Sequence, residues 1–222
     1  MYSVKKLSHR LLSRRTRLLS RLHMAETRPS LDFVFSGFTL WLMLEDTKMD
    51  IPSAIAELSS AVGIEALPIP HVTLFYNVAH ESSDAALSFF QTFKTKIKSW
   101  PPLEPIGCVC DTEYAGVDGG LMDMTWAEIS FKTNSHHLKC VEDAKQAFGG
   151  PSLCKTYELD KWKPHLSMAY DNPVDTPLTT KAFISVASKY PSLWMTRKII
   201  GVTLVDTNGK IGDWKVLDSF EF

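Results

Sequence analysis

Short apolar runs alternate along the chain with segments of helical spacing between residues 38 and 217. The runs Phe38–Leu44 and His71–Val78 are rich in apolar and aromatic residues and predict buried strands. Between Ser83 and Pro101, apolar residues recur near a period of 3.6, which predicts a helix capped by the serine and ended by the proline. The same criteria predict strands over 106–112, 121–131, 164–170, 199–206 and 211–217, and further helices over 50–63, 138–148 and 177–190.

Tight turns join some of these strands, whereas predicted helices separate others. The pair Asn208-Gly209 is typical of a two-residue hairpin between the last two strands. The glycine-rich stretch 116–120 predicts another turn. Hairpins mixed with helices favour an α+β fold with largely antiparallel sheets. A helix follows each of the strands 71–78 and 164–170, which indicates a duplicated unit.

These two strands carry the same eight-residue pattern, 94 residues apart. Residues 70–77 and 164–171 each contain proline, histidine, an apolar residue, a hydroxyl residue, a second apolar residue, a variable position, tyrosine, and then Asn or Asp. The histidines are His71 and His165, and the hydroxyl residues two positions later are Thr73 and Ser167. Side chains alternate faces along a strand, so each histidine shares a face with its own hydroxyl residue.

Two imidazoles and two hydroxyls brought together favour phosphoester chemistry. Near neutral pH one imidazole can act as a base while the other acts as an acid. Hydroxyl groups can donate hydrogen bonds to phosphoryl oxygens and hold the phosphorus in line. If the two strands meet, the residue types therefore predict opening of a cyclic phosphodiester, with His71 and His165 catalytic and with no metal or other cofactor.

Charge is distributed unevenly along the 222 residues. The first 23 residues contain seven of the 24 basic groups and no acidic group, so the rest has 17 basic against 25 acidic residues, a net charge of −8. An acidic body argues against binding along a nucleic-acid backbone but not against a small nucleotide. The first 30 residues form a basic amphipathic extension, interpreted as either a targeting helix or a dispensable segment. We expect a single domain over 31–222.

The paired motifs His71-Val72-Thr73-Leu74 and His165-Leu166-Ser167-Met168 resemble those of the 2H phosphoesterase superfamily. The closest likeness is to the fungal and plant cyclic phosphodiesterases, over roughly residues 36–222. The resemblance implies a bilobal α+β fold of two mostly antiparallel sheets related by a pseudo-twofold axis, with the site in the cleft between the lobes.

The resemblance also implies a reaction. ADP-ribose 1″,2″-cyclic phosphate would be hydrolysed to the 1″-phosphate, and nucleoside 2′,3′-cyclic phosphates to 2′-phosphates, in clean-up after tRNA splicing. By position, His71 and His165 match the catalytic pair of the family, and Thr73 and Ser167 match its phosphate-binding hydroxyls. Trp41 and Tyr170 match aromatics near the nucleotide in plant-type members, although strict alternation puts Tyr170 on the face opposite His165.

Other interpretations stay open at this stage. One is an RNA end-processing phosphodiesterase of the same superfamily, and another is a nucleotide-binding module without catalysis. A zinc site combining the two motif histidines with Cys108 and Cys110 lacks any recognised ligand spacing. Four cysteines in so long a chain indicate free thiols in a reducing compartment, with a disulfide left open. We expect a cytoplasmic monomer without a transmembrane segment, or a mitochondrial or membrane-associated protein if residues 1–23 are a targeting helix.

Overall fold

The computed structural model describes residues 31–114, 123–149 and 162–222. The extension predicted at 1–30 and the turn predicted at 116–120 lie outside these residues. Residues Leu31–Phe222 form one compact unit. None of the helices within the described ranges is both long and apolar enough to cross a membrane.

Seven strands and four α-helices make up the described part of the chain, which is an α+β fold as predicted. The strands are β1 (Phe38–Leu44), β2 (Val72–Val78), β3 (Pro105–Glu113), β4 (Met124–Phe131), β5 (His165–Asp171), β6 (Ile199–Asp206) and β7 (Lys215–Glu221). The helices are α1 (Asp50–Val62), α2 (Ser83–Lys96), α3 (Ser135–Phe148) and α4 (Thr180–Ala187), with 3₁₀ helices at Pro191–Trp194 and Ile211–Asp213.

All seven strands join in one antiparallel sheet in the order β3-β4-β5-β2-β1-β6-β7. The prediction of two separate sheets was therefore wrong. The physical reason is a backbone pairing between β2 and β5 at Val72 and Leu166, which connects the two halves. The two strands that carry the repeated motif are thus neighbours at the centre of the sheet.

Helix ends follow local sequence, with small differences from the prediction. Ser82, rather than Ser83, caps α2, because its hydroxyl accepts a hydrogen bond from the Ala85 amide at 3.2 Å. The carboxylate of Asp46 accepts from the first amides of α1, including that of Ile51 at 2.8 Å. Gly63 ends α1 with a φ of 69°, a left-handed conformation that glycine adopts without strain.

The two-residue hairpin predicted at Asn208-Gly209 was wrong, although β6 and β7 do pair antiparallel. Residues 207–214 separate the two strands and include a 3₁₀ helix. The Asn208 side chain accepts a hydrogen bond from the Gly37 amide at 2.9 Å, and Gly209 pairs with Phe35. The Asn-Gly pair is therefore held by the segment before β1 instead of closing a tight turn.

Apolar side chains of the central strands form the core of the fold. Leu40, Leu42, Val72, Leu74 and Leu166 are at most 1% exposed. In β2 and β5, the residues directly before and after Val72 and Leu166 are the histidines and hydroxyl residues of the motifs. The sheet therefore buries one face of each motif and leaves the other face for polar groups.

Candidate active site

The pairing of β2 with β5 aligns the two motifs about equivalent positions. Val72 and Leu166 are both the second residue of their motif, and they lie directly opposite each other. In an antiparallel pair, the flanking residues on both strands point to the face opposite that of the paired residues. His71, Thr73, His165 and Ser167 consequently lie on one face of the sheet, with His71 next to Ser167 and Thr73 next to His165.

Both imidazoles are held in the same way by the backbone. Nδ1 of His71 lies 2.7 Å from the carbonyl oxygen of Ile69, and Nδ1 of His165 lies 2.9 Å from that of Lys163. Because a carbonyl oxygen only accepts, each Nδ1 carries a proton and donates it. Nε2 of each ring is then an acceptor in the neutral form and a donor in the charged form. A matched pair of Nε2 atoms is what acid–base catalysis requires.

His71 lies in a buried, aromatic part of the site. The residue is only 2% exposed, and its ring stacks on Trp41 with centroids 3.8 Å apart and planes 11° from parallel. Burial lowers the pKa of His71 to about 4, the carbonyl of Ile69 opposes this shift, and the charge of His165 adds to it. His71 is therefore neutral at neutral pH, and its Nε2 is available as a proton acceptor.

His165 has a more open and more polar environment. Its side chain is 32% exposed, and its Nδ1 lies 3.6 Å from Oε2 of Glu128 on β4. Oε1 of the same carboxylate accepts a hydrogen bond from the Ser130 hydroxyl at 3.1 Å, which orients it. A carboxylate next to an imidazole is an electrostatic partner for the imidazolium form.

A β-bulge occurs at the same place in both motifs. Trp41 pairs with Thr73 while Leu40 pairs with Phe75, so Leu74 is an extra residue in β2. Likewise, the register shift between β4 and β5 makes Met168 the extra residue in β5. The extra residue shifts the alternation of the side chains that follow it by one position. The next side chain on the face that carries the histidine and the hydroxyl is therefore that of the fifth residue after the histidine, which is Tyr76 in β2 and Tyr170 in β5.

The bulge in β5 brings Tyr170 to the face of Ser167. The phenol of Tyr170 donates to the Ser167 hydroxyl at 2.7 Å. Burial raises the pKa of Tyr170 to about 12, and the charge of Glu128 contributes in the same direction. The phenol therefore keeps its proton, and the proton of the Ser167 hydroxyl is directed to another acceptor. Strict alternation had put Tyr170 on the face opposite His165. That prediction was wrong because the extra residue, Met168, shifts the alternation by one position.

A chain of aromatic contacts links the two motifs. Trp41 packs against Trp214 with centroids 5.6 Å apart, Trp214 against Phe35 at 4.8 Å, and Phe35 against Tyr170 at 6.0 Å. His71 and Ser167 are thereby supported by one continuous aromatic wall. Trp41 itself is 1% exposed, so in this structure its ring faces His71 and not solvent.

The motif pattern did not reveal every residue of this face. Glu128, Trp214 and Phe35 were absent from the predicted site, because each comes from a segment without a motif. Glu128 occupies a strand position that is typical of an ordinary solvent-facing charge. Only the pairing of Glu128 with Ser167 across the β4–β5 ladder brings it to the histidine.

The zinc site considered from the sequence would combine the motif histidines with cysteines of β3. Within the described ranges, no group of three His, Cys, Asp or Glu residues could hold a metal ion. Cys108, Cys110 and Cys140 are free thiols, and Cys154 lies outside the described residues. Cys108 and Cys110 are on β3, which is separated from β2 by β4 and β5 in the sheet.

Comparison with solved structures gives distant likenesses. The structure is similar to TT0787 of Thermus thermophilus, with 13% identity, 83% of this chain and 96% of that chain covered, and a TM-score of 0.46. It is also similar to Usb1 of Kluyveromyces marxianus, both with uridine monophosphate (9% identity, TM-score 0.44) and without it (12%, 0.44). Each Usb1 comparison covers 83% of this chain and 97% of that chain.

No family model matches the sequence, and no curated protein matches it. Identities and TM-scores this low transfer no function, so the chemistry rests on the geometry of the site itself.

Proposed function

We propose that this protein is a phosphodiesterase of the 2H phosphoesterase type, which opens cyclic phosphodiesters of small nucleotides with two histidines. The observation that carries this proposal is the Val72–Leu166 pairing. It aligns two His-x-[Thr/Ser] motifs about a local twofold relation and directs both imidazoles and both hydroxyls to one face. On this proposal the two halves of the sheet are pseudo-symmetric lobes, and the substrate binds between them.

The residues have defined roles in such a reaction. One Nε2 accepts a proton from water as the water oxygen forms its bond to phosphorus, and the other Nε2 donates a proton to the ribose oxygen as its bond to phosphorus breaks. The net change is addition of one water molecule across a phosphorus–oxygen bond. Thr73 and Ser167 donate hydrogen bonds to the non-bridging oxygens, where negative charge builds up in the transition state.

The flanking aromatic residues support this machinery. Trp41 holds the His71 ring by stacking, and Tyr170 directs the Ser167 hydroxyl through its hydrogen bond. Direct contact of either aromatic with the nucleotide stays a prediction of the family resemblance. Tyr76, the equivalent of Tyr170 in the first repeat, is 59% exposed and follows the bulge at Leu74, so its ring is accessible to a nucleobase.

The proposed substrates are ADP-ribose 1″,2″-cyclic phosphate, opened to the 1″-phosphate, and nucleoside 2′,3′-cyclic phosphates, opened to 2′-phosphates. The sequence motifs support this choice through their likeness to cyclic phosphodiesterases. The net charge of −8 on residues 24–222 favours a small substrate over a long nucleic acid, since binding along a backbone needs many cationic contacts.

Product analysis tests the proposal directly. The full chain, His71→Ala and His165→Ala are incubated in EDTA with both cyclic phosphates and with an oligonucleotide ending in a 2′,3′-cyclic phosphate. His136→Ala, which alters an exposed histidine on α3, is the matched control. We expect turnover of the small substrates by the full chain and the control, with a loss of about 10²- to 10⁴-fold in each motif variant.

Other outcomes would redirect or refute the assignment. Turnover of the oligonucleotide alone would point to RNA end-processing. Nucleotide binding without turnover by the full chain would point to a binding module. Undiminished turnover in both motif variants would refute the two-histidine mechanism.

A further inference from the structure

The two halves of the site differ at one pair of equivalent positions. Trp41 on β1 lies opposite Thr73, and Glu128 on β4 lies opposite Ser167. Since Thr73 and Ser167 are the same position of the two motifs, Trp41 and Glu128 are counterparts in the flanking strands. One motif thus has an indole beside its imidazole, and the other has a carboxylate. The repeat by itself is symmetric, but its flanks are not.

These flanking residues give the two histidines opposite surroundings. The indole and the burial around His71 favour an uncharged ring, because a charge there would be cut off from water. The carboxylate 3.6 Å from His165 is itself only 16% exposed and is held by Ser130, so it stays close to the imidazole. A fixed negative charge beside the ring compensates an imidazolium and leaves its Nε2–H free to donate.

The two imidazole rings also differ in their exposure to solvent. His71 is 2% exposed, whereas the His165 side chain is 32% exposed. The attacking group in hydrolysis is a water molecule, which is small, whereas the departing oxygen is carried by the ribose of a whole nucleoside, which stays bonded to phosphorus through its other oxygen. The bulky group is therefore best placed beside the more open histidine.

We infer that Glu128 is a positioning residue that makes His165 the general acid and leaves His71 as the general base, so that the substrate binds in one direction. This inference rests on the proposed function. In the step, His71 Nε2 takes a proton from water and the water oxygen bonds to phosphorus. The phosphorus–ribose oxygen bond breaks, and that oxygen takes the proton from His165 Nε2. Proton exchange with solvent then restores both rings.

With His165 as the general acid, the position of the nucleoside part of the substrate also follows. Thr73 lies next to His165 in the antiparallel register, and β2 continues from Thr73 toward Tyr76. The nucleoside whose ribose carries the departing oxygen consequently lies toward the exposed residue Tyr76. Tyr170 lies at the opposite end, beyond Ser167, where its phenol is already hydrogen-bonded.

Replacing the leaving oxygen of the substrate by sulfur tests the assignment. A thiol has a pKa of about 8.5, far below that of a ribose hydroxyl, so a thiolate departs without a general acid. A nucleoside 2′,3′-cyclic phosphate and its analogue with sulfur at the leaving 3′ position differ by one atom, so both fit the same site. Rates on the two are compared for Glu128→Gln, His165→Ala, His71→Ala and His71→Gln.

We expect His165→Ala to lose about 10²- to 10⁴-fold on the oxygen substrate and to recover most of this loss on the sulfur substrate. Glu128→Gln removes the negative charge beside His165 and should lose about 10- to 100-fold on oxygen, because an opposite charge this close favours the charged form of the ring, and less than about threefold on sulfur. Both His71 variants should be impaired on both substrates, because activation of water is still required. Glu104→Gln, an exposed glutamate paired with Lys132, is the control and should match the unaltered chain.

The opposite pattern would overturn the assignment. Recovery on sulfur in the His71 variants, or equal losses on both substrates in Glu128→Gln, would refute the role of Glu128 and leave the two-histidine function intact. Absence of turnover of either substrate by the unaltered protein would refute the proposed function and this inference together. A thermal unfolding curve for each variant separates these results from a loss of folded protein.

Discussion

Replacing His71 by asparagine should flatten the acid side of the pH–stability curve of this protein. In the folded state burial lowers the pKa of His71 to about 4, whereas in the unfolded chain the ring titrates near its ordinary value of 6.5. Between these pH values the unfolded chain binds a proton that the folded protein does not. The free energy of unfolding therefore falls as the pH falls through this window, and His71 makes no difference to it above pH 6.5.

The size of the effect follows from the separation of the two pKa values. At about 1.36 kcal/mol per pH unit, His71 should cost about 2 kcal/mol of stability on going from pH 7 to pH 5, and about 3 kcal/mol by pH 4. His71→Asn has no titrating ring, so its free energy of unfolding should decrease less than that of the unaltered protein by these amounts. The comparison concerns slopes, so a constant cost of the substitution cancels.

Urea unfolding followed by circular dichroism at pH 7, 6, 5 and 4 measures the free energies. The control is Thr92→Ala, which changes a residue on the exposed face of α2. It measures how far any substitution by itself alters the decrease in the free energy of unfolding between pH 7 and pH 4. It should lose stability in parallel with the unaltered protein. Parallel curves for His71→Asn as well would refute the argument that burial keeps this imidazole neutral.

Three further substitutions test the aromatic residues of the site. Trp41→Ala removes a buried indole that packs against His71 and Trp214. The free energy of unfolding measured in urea titrations should therefore drop by about 3–5 kcal/mol. A loss below about 1 kcal/mol would contradict the packing. Tyr170→Phe removes the donor to Ser167, and its kcat on the cyclic phosphate should fall by up to about tenfold, the equivalent of one hydrogen bond, with KM little changed. An unchanged kcat would mean that the phenol does not direct the serine. Tyr76→Ala should raise KM for a nucleoside cyclic phosphate by about tenfold through lost stacking and leave kcat within about twofold, and an unaltered KM would place the base elsewhere.

Local sequence determined the elements of this fold and the pairing of polar groups within each motif. Apolar runs at Phe38–Leu44 and Ile199–Asp206 are the strands β1 and β6 as predicted, because such runs are stable only when both of their faces are covered. Alternation along a strand is a property of neighbouring residues. It therefore sufficed to join each histidine with the hydroxyl two positions away.

Tertiary structure decided how the two motifs meet. Strand order and register depend on contacts between residues 94 positions apart, such as Val72 with Leu166, and no local pattern encodes that pairing. The bulges at Leu74 and Met168 exist only relative to a partner strand, which is why alternation put Tyr170 on the wrong face. The burial of His71 and the position of Glu128 beside His165 arise from the same long-range packing. Two motifs that share one residue pattern thus acquire different surroundings from the strands that flank them.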